Sequence, residues 1–182
     1  MPRFPVHSTD SAPEASRDAL KALEAKVGKV LNSYGGMAHS PAVLHASIAL
    51  NGAINEHSSL DPATREAIAL AVGAVNDCGY CQAAHTMVGK GAGLGDDQML
   101  QIRRGQVEAD GRLAAIVTLA REAATNVGAV SDSTWQAALD AGWSDTELAD
   151  AFASIAANLF TNYFNHFAET KLDLPPAPAA TT

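Results

Sequence analysis

The stretch from Asp61 to Val75 constrains the fold of this chain more than any other. Asp61-Pro62 joins a residue that caps helix N-termini to a proline suited to the first helical position. Behind them, Glu66, Ile68, Leu70 and Val72 run on to Val75 in a helix that is apolar nearly all round, with no charge from Ala67 onward. A helix of that kind belongs in a core, so the rest of the chain must surround it. The surroundings read as helices too. Residues 14–33 carry Leu20, Leu23, Val27, Val30 and Leu31 at helical spacing, and Gly35-Gly36 ends that run. Pro41 opens a second helix to about His57. After the core helix, Asn76-Asp77 marks a turn and a cap for a helix over 78–90, which Gly91-Ala92-Gly93 terminates. Helices follow near 96–104 and 111–126. Ser133 with Gln136, and Ser144 with Glu147, read as capping boxes for the last two, the final helix running over 145–171. No stretch reads as a strand. The expectation is one all-α domain over residues 13–172, between a flexible segment 1–12 and a flexible Pro/Ala-rich tail 173–182.

Aromatic residues make up only 5% of the chain and alanine is abundant, which suits helices packed through small side chains. The formal charge of −8 argues against nucleic acid or an anionic membrane as partner. Ala67–Val75 is too short to cross a bilayer, which takes roughly 20 residues, and Met1-Pro2-Arg3-Phe4-Pro5 has no apolar signal core. A cytoplasmic protein is expected. The two cysteines, Cys78 and Cys81, stand too close together for a bridge to staple a fold. A reactive or metal-binding role follows more naturally.

On a helix, positions i and i+3 have Cα atoms roughly 5 Å apart, inside the window of about 4.4–6.8 Å that a disulfide tolerates. His85 shares the stripe of Cys78 and Cys81. Cys78 falls in the first turn, where the helix dipole lowers a thiol pKa. Glu66 and His85 stand almost equally far from the turn at Asn76-Asp77, so a helical hairpin brings them to nearly the same height. A carboxylate there holds the imidazole in one tautomer and raises its basicity. Glu66, His85 and Cys81 then form a proton relay, with Cys78 placed to resolve an oxidised Cys81. Other readings stand beside this one. The cysteines alone read as small buried hydrophobes, and Glu66 alone reads as a first-turn acid. Zinc would find three ligands in Cys78, Cys81 and His85 and a fourth in Glu66 or His57, although no second complete ligand pair appears. Haem attachment needs histidine where Gln82 stands, and a thioredoxin fold needs strands.

Glu66 followed by Cys78-Gly79-Tyr80-Cys81-Gln82-Ala83-Ala84-His85, with the spacing Glu-x11-Cys-x2-Cys-x3-His, resembles the core motif of the AhpD-like alkylhydroperoxidase branch of the carboxymuconolactone decarboxylase superfamily. The resemblance is closest from about His39 to Leu94. It implies an all-helical AhpD-like fold assembled as a homotrimer or homohexamer. It also implies peroxidase or disulfide reductase activity without haem, flavin, metal or other cofactor. In the family's relay the position of Cys81 is the peroxide-attacking thiol and that of Cys78 the resolving one; those of His85 and Glu66 move the proton. The partners implied are a hydroperoxide and an external thiol or lipoyl-type reductant. The best-known members carry histidine before the second cysteine, where this chain has Tyr80. A tyrosine with a pKa near 10 is a poor base at neutral pH, so Tyr80 is expected to donate a hydrogen bond or gate a substrate. The decarboxylases of the superfamily lack the cysteine pair.

Two further functions fit the same residues: a redox-sensing or metal-binding helical oligomer without turnover, and a decarboxylase-type pocket protein indifferent to its cysteines. Outside the motif, His39, His45 and His57 lack companions at ligand spacing and read as solvated or core-edge residues. Asn158, Asn162, Asn165 and Glu169 form a polar stripe on the last helix opposite Phe152, Ile155, Leu159 and Phe160. That stripe reads as a solvated face or, given the resemblance, a subunit interface. His166 lies beside it without an assigned role. Trp135 and Trp143 are expected to pack the ends of the penultimate helix.

Overall fold

The computed structural model describes residues 1–180, and among these the regular elements are all helices. In chain order they are α1 (Glu14–Val27), α2 (Asn32–Met37), α3 (Pro41–His57), α4 (Pro62–Val75), α5 (Gly79–Gly91), α6 (Asp96–Arg104), α7 (Gly111–Thr125), α8 (Asp132–Asp140) and α9 (Asp145–Ala168). The apolar helix is α4. Asp61 caps it by accepting from the Thr64 amide, and α5, α6, α7 and α9 all pack against it. Ala67, Ile68, Leu70, Ala71 and Val72 are fully buried there. Burial of each branched side chain stabilises the fold by roughly 1.5–3 kcal/mol. Ile102 of α6, Ile116 and Val117 of α7 and Ile155 of α9 complete this core. A smaller one joins Leu20, Met37 and Leu44 with Phe160 and Phe164 of α9.

Several boundaries differ from the expected ones, each for a local reason. The run over 14–33 breaks at Gly28, whose left-handed φ of 84° closes α1 onto the Glu24 carbonyl. Gly35-Gly36 lies inside α2 and ends no helix. A Cβ on Gly35 would stand 2.7 Å from Val6 Cγ1 and 2.8 Å from the His7 carbonyl oxygen, so the glycine lets the N-terminal segment run directly over α2. Helix α8 is capped by Ser131, which accepts from the Thr134 amide; Ser133 lies within the helix. The Ser144–Glu147 capping box of α9 forms as expected. That helix stops at Ala168, earlier than expected, because Glu169 turns left-handed at φ 50°.

Both terminal segments make specific contacts. Ala12 is buried, the Arg3 amide donates to the Ala168 carbonyl, and Arg3 pairs with Glu169 at 2.9 Å. The tail returns toward the start of α5. Its last two residues, Thr181 and Thr182, lie outside the described residues. Among those described, no helix is long and apolar enough to cross a membrane.

Candidate active site

The site begins at the turn between α4 and α5. Asn76 closes α4 and Asp77 takes a left-handed φ of 50°, which small polar residues tolerate better than most. The Cys78 amide then donates to the Gly73 carbonyl, so the chain reverses tightly. Cys78 is itself the N-cap of α5, a place expected of Asn76-Asp77: its Sγ accepts the Cys81 amide at 3.3 Å. Gly73 allows the two helices to approach, since a Cβ there would already touch the Cys81 Cβ at 3.6 Å.

The hairpin brings Glu66 and His85 together as its geometry predicts. Glu66 Oε2 lies 2.8 Å from His85 Nδ1, with the side chains 17% and 26% exposed. Burial works against a charged imidazole, but the hydrogen bond and charge of Glu66 outweigh it, and His85 sits above its ordinary pKa. Donation from Nδ1 to the carboxylate leaves Nε2 as the nitrogen that exchanges a proton.

Both cysteines are free and buried, at 2% and 3% exposure. They share one proton unequally. Cys78 receives a hydrogen bond from the Cys81 thiol, then opposing burial, then the Cys81 amide and the charges of His166 and His85; the balance lowers it to about 7. Cys81 is pushed up, first by its bond to Cys78 and then by burial, while the amides of Asn165 and Asn162 pull the other way. The first negative charge of the dithiol therefore rests on Cys78. Access favours the other sulfur. A cavity of about 260 Å³ is walled by Tyr34, Tyr80, Cys81, His85, Asn165 and Leu174 among others, and Cys78 is not on its wall.

The asparagine stripe of α9 corrects an expectation. Asn158, Asn162 and Asn165 are buried within this chain, against the dithiol, and form neither a solvated face nor an interface. Asn165 Nδ2 donates to Cys81 Sγ at 3.4 Å, Asn162 Oδ1 accepts from Asn76 Nδ2 at 3.0 Å, and Asn158 favours the charged form of His85. Among the described residues, Asn162 Nδ2 and Asn165 Oδ1 are buried without a hydrogen-bond partner. Of the apolar residues on α9, Phe152, Tyr163 and Phe167 face outward, more than half exposed, while Ile155, Leu159 and Phe160 pack inward. His166 reaches the same turn, its Nε2 2.8 Å from the Asn76 carbonyl oxygen. The signal for these residues was the spacing of amides along one helical stripe; its partner helix was not readable.

Tyr80 is no base. Its hydroxyl donates to Asp173 at 2.8 Å and accepts the Ser33 amide at 3.3 Å, and burial with the Asp173 contact pushes its pKa upward. The remaining histidines stay outside the site: His39 bonds His7 at 3.1 Å, His45 bonds the Ala15 carbonyl, and His57 is exposed beside Glu56. Trp143 packs under Arg112, while Trp135 on α8 stays 41% exposed. Among the described residues, no group of three or more His, Cys, Asp or Glu side chains is arranged to hold a metal ion.

Residues 41–124, which span α3 to α7, match the carboxymuconolactone decarboxylase family. Over those residues the chain is similar to that family. An AhpD-core peroxidase-related protein from Ralstonia eutropha JMP134 superposes with a TM-score of 0.84 at 23% identity, over 94% of this chain and 92% of that one. A peroxidase-related protein from Silicibacter sp. TM1040 gives 0.77 at 19% identity, over 96% and 90%. The debrominase Bmp8, in a variant complexed with 2,3,4-tribromopyrrole, gives 0.78 at 16% identity, over 97% and 91%. At these identities the likeness establishes the AhpD-like fold alone. No curated protein matches the chain.

Proposed function

We propose that this AhpD-like protein is a thiol-dependent oxidoreductase that reduces organic hydroperoxides. The observation that carries the reading is the single cavity shared by Cys81 and His85, with Glu66 holding the far side of the imidazole. The proton between the sulfurs moves to Cys78 Sγ, which places the charge on Cys81 beside the Asn165 amide. Cys81 Sγ attacks the outer peroxide oxygen, forming an S–O bond and breaking the O–O bond. His85, held protonated by Glu66, gives the alkoxide its proton and the alcohol leaves. Cys78 then loses its proton to His85 and attacks the Cys81 sulfenic acid; the S–S bond forms, and the hydroxide takes that proton and leaves as water. An external thiol or lipoyl-type dithiol restores the reduced pair. The apolar part of the wall, with Leu31, Val88 and Leu174, favours a peroxide carrying an organic group over hydrogen peroxide. The exposed Phe152, Tyr163 and Phe167 of α9 support a homo-oligomer, trimeric or hexameric as in the family.

The test is thiol titration before and after organic hydroperoxide, repeated in Cys78→Ser with a sulfenic-acid trap. Loss of both thiols in the native chain, and trapping at Cys81 in the variant, are the expected results. A Cys81→Ser chain that consumes peroxide at the full rate would falsify the proposal and move a cysteine-independent pocket forward. The same dithiol supports a second substrate class, because the cavity is largely apolar and a neighbour of the same fold binds a bromopyrrole. There the Cys81 thiolate would take bromine from carbon, His85 would protonate the carbon, and Cys78 would displace bromide as the disulfide closes. Bromide release from a brominated pyrrole, measured beside peroxide loss, separates the two.

A further inference from the structure

After α9 the chain runs past the thiol cavity, setting Leu174 in its wall, and it is held on both sides of that residue. At the near end Asp173 gathers four contacts. Tyr80 Oη donates to its Oδ1 at 2.8 Å and the Asn32 amide to its Oδ2 at 3.3 Å. Lys29 Nζ pairs with Oδ2 at 3.2 Å and donates to the backbone carbonyl at 2.6 Å. At the far end Arg103 Nη1 donates to the Pro178 carbonyl at 2.6 Å, while Arg103 Nε is fixed by Gln82 of α5 at 2.9 Å. Between the clamps lie Leu174-Pro175-Pro176-Ala177. Prolines fix φ and have no amide to satisfy, so such a stretch holds an extended shape without pairing to a helix or strand. Leu174 packs against Cys78, Tyr80 and Cys81 and forms part of the cavity wall.

We propose that residues 173–178 are a built-in wall of the thiol site, with Leu174 the residue that limits the size of what reaches Cys81 and the Tyr80–Asp173 bond the contact that positions it. Tyr80, standing where the best-known relatives carry histidine, thus acts through Asp173 and not on a proton of the reaction. The wall serves the thiol chemistry proposed above, but its test does not depend on that chemistry, because alkylation reports access to Cys81 whether or not peroxide is turned over.

The experiment compares two thiol reagents, iodoacetamide and a bulky fluorophore-bearing maleimide, on full-length chains in a Cys78→Ser background that leaves Cys81 as the single thiol. The ratio of bulky to small rates cancels the thiolate fraction, which both reagents share. Asp173→Ala and Tyr80→Phe should raise that ratio about tenfold, the scale expected when one or two buried hydrogen bonds holding a segment are lost. Leu174→Ala should raise it with the Asp173 contacts intact, and Leu174→Trp should lower it. Circular dichroism establishes that each variant is folded. A ratio that stays within twofold of the parent in all four overturns the proposal. So does a uniform acceleration of both reagents, which would mean general loosening in place of a size limit. If the ratios move as expected while peroxide leaves the thiols untouched, the wall stands and the peroxidase reading falls.

Discussion

Consider Cys81→Ala, which removes the S–H that donates to Cys78 while leaving the backbone amide of position 81 in place. With that donor, Cys78 is lowered to about 7 from an ordinary 9. At about 1.36 kcal/mol per pKa unit this is roughly 3 kcal/mol in favour of the thiolate. The Cys81 hydrogen bond is the largest contribution and burial opposes it, so without the donor Cys78 should titrate distinctly higher. At neutral pH its thiolate fraction then falls well below the native one half. Ultraviolet thiolate absorbance followed across pH reads the change directly, and Cys81→Ser, which returns a donor, should keep Cys78 low. The reasoning is refuted if the alanine variant still titrates near 7. The helix start and the charges of His166 and His85 would then be the true source.

Three other outcomes follow from the same geometry. Glu66 favours protonated His85 in the folded chain, so this contribution is complete below the ordinary histidine value of 6.5 and is lost as pH rises through the higher folded value. Glu66→Gln should therefore cost about 1.5–3 kcal/mol in urea unfolding below pH 6.5 and distinctly less in alkaline solution; an equal loss at both would be inconsistent with the pairing. Asn165→Leu removes the amide that faces Cys81 Sγ and should slow peroxide-dependent thiol loss about tenfold, the equivalent of one net buried hydrogen bond to a charged group. In the core, Ile68→Ala leaves a cavity in a fully buried helix and should destabilise by about 2–5 kcal/mol, against a negligible change for Trp135→Ala on half-exposed α8.

How much of the fold is legible in the residues depends on how local each signal is. The order of helices from α3 to α7 follows from caps, prolines and apolar spacing that act within a turn or two, and so does the meeting of Glu66 with His85, because a tight hairpin converts sequence distance directly into height. Apolar spacing continues across Gly28 to Val30 and Leu31, so the break its left-handed backbone makes leaves no mark in the pattern. The α9 asparagines misled for a deeper reason. A polar stripe ordinarily turns to water, but here it turns to two sulfurs and a histidine that need amides, and nothing within α9 announces that partner. The contacts of the tail are equally non-local: the groups that hold it, Lys29, Tyr80 and Arg103, come from α5, α6 and the α1–α2 connection.

Cys78 holds two posts at once, as the cap of α5 and as half of the dithiol. In the disulfide of the proposed reaction, its sulfur would surrender the charge that made it a good acceptor for the amide at the helix start. A helix cap is worth about 1 kcal/mol, and for a two-electron couple about 1.4 kcal/mol corresponds to 30 mV. Loss of the cap alone therefore raises the reduction potential by about 20 mV. On the proposed chemistry, the first turn of α5 would work as a counterweight that makes the oxidised pair readier to take electrons back, and any residue that steadies or frays that turn would tune the couple without touching either sulfur.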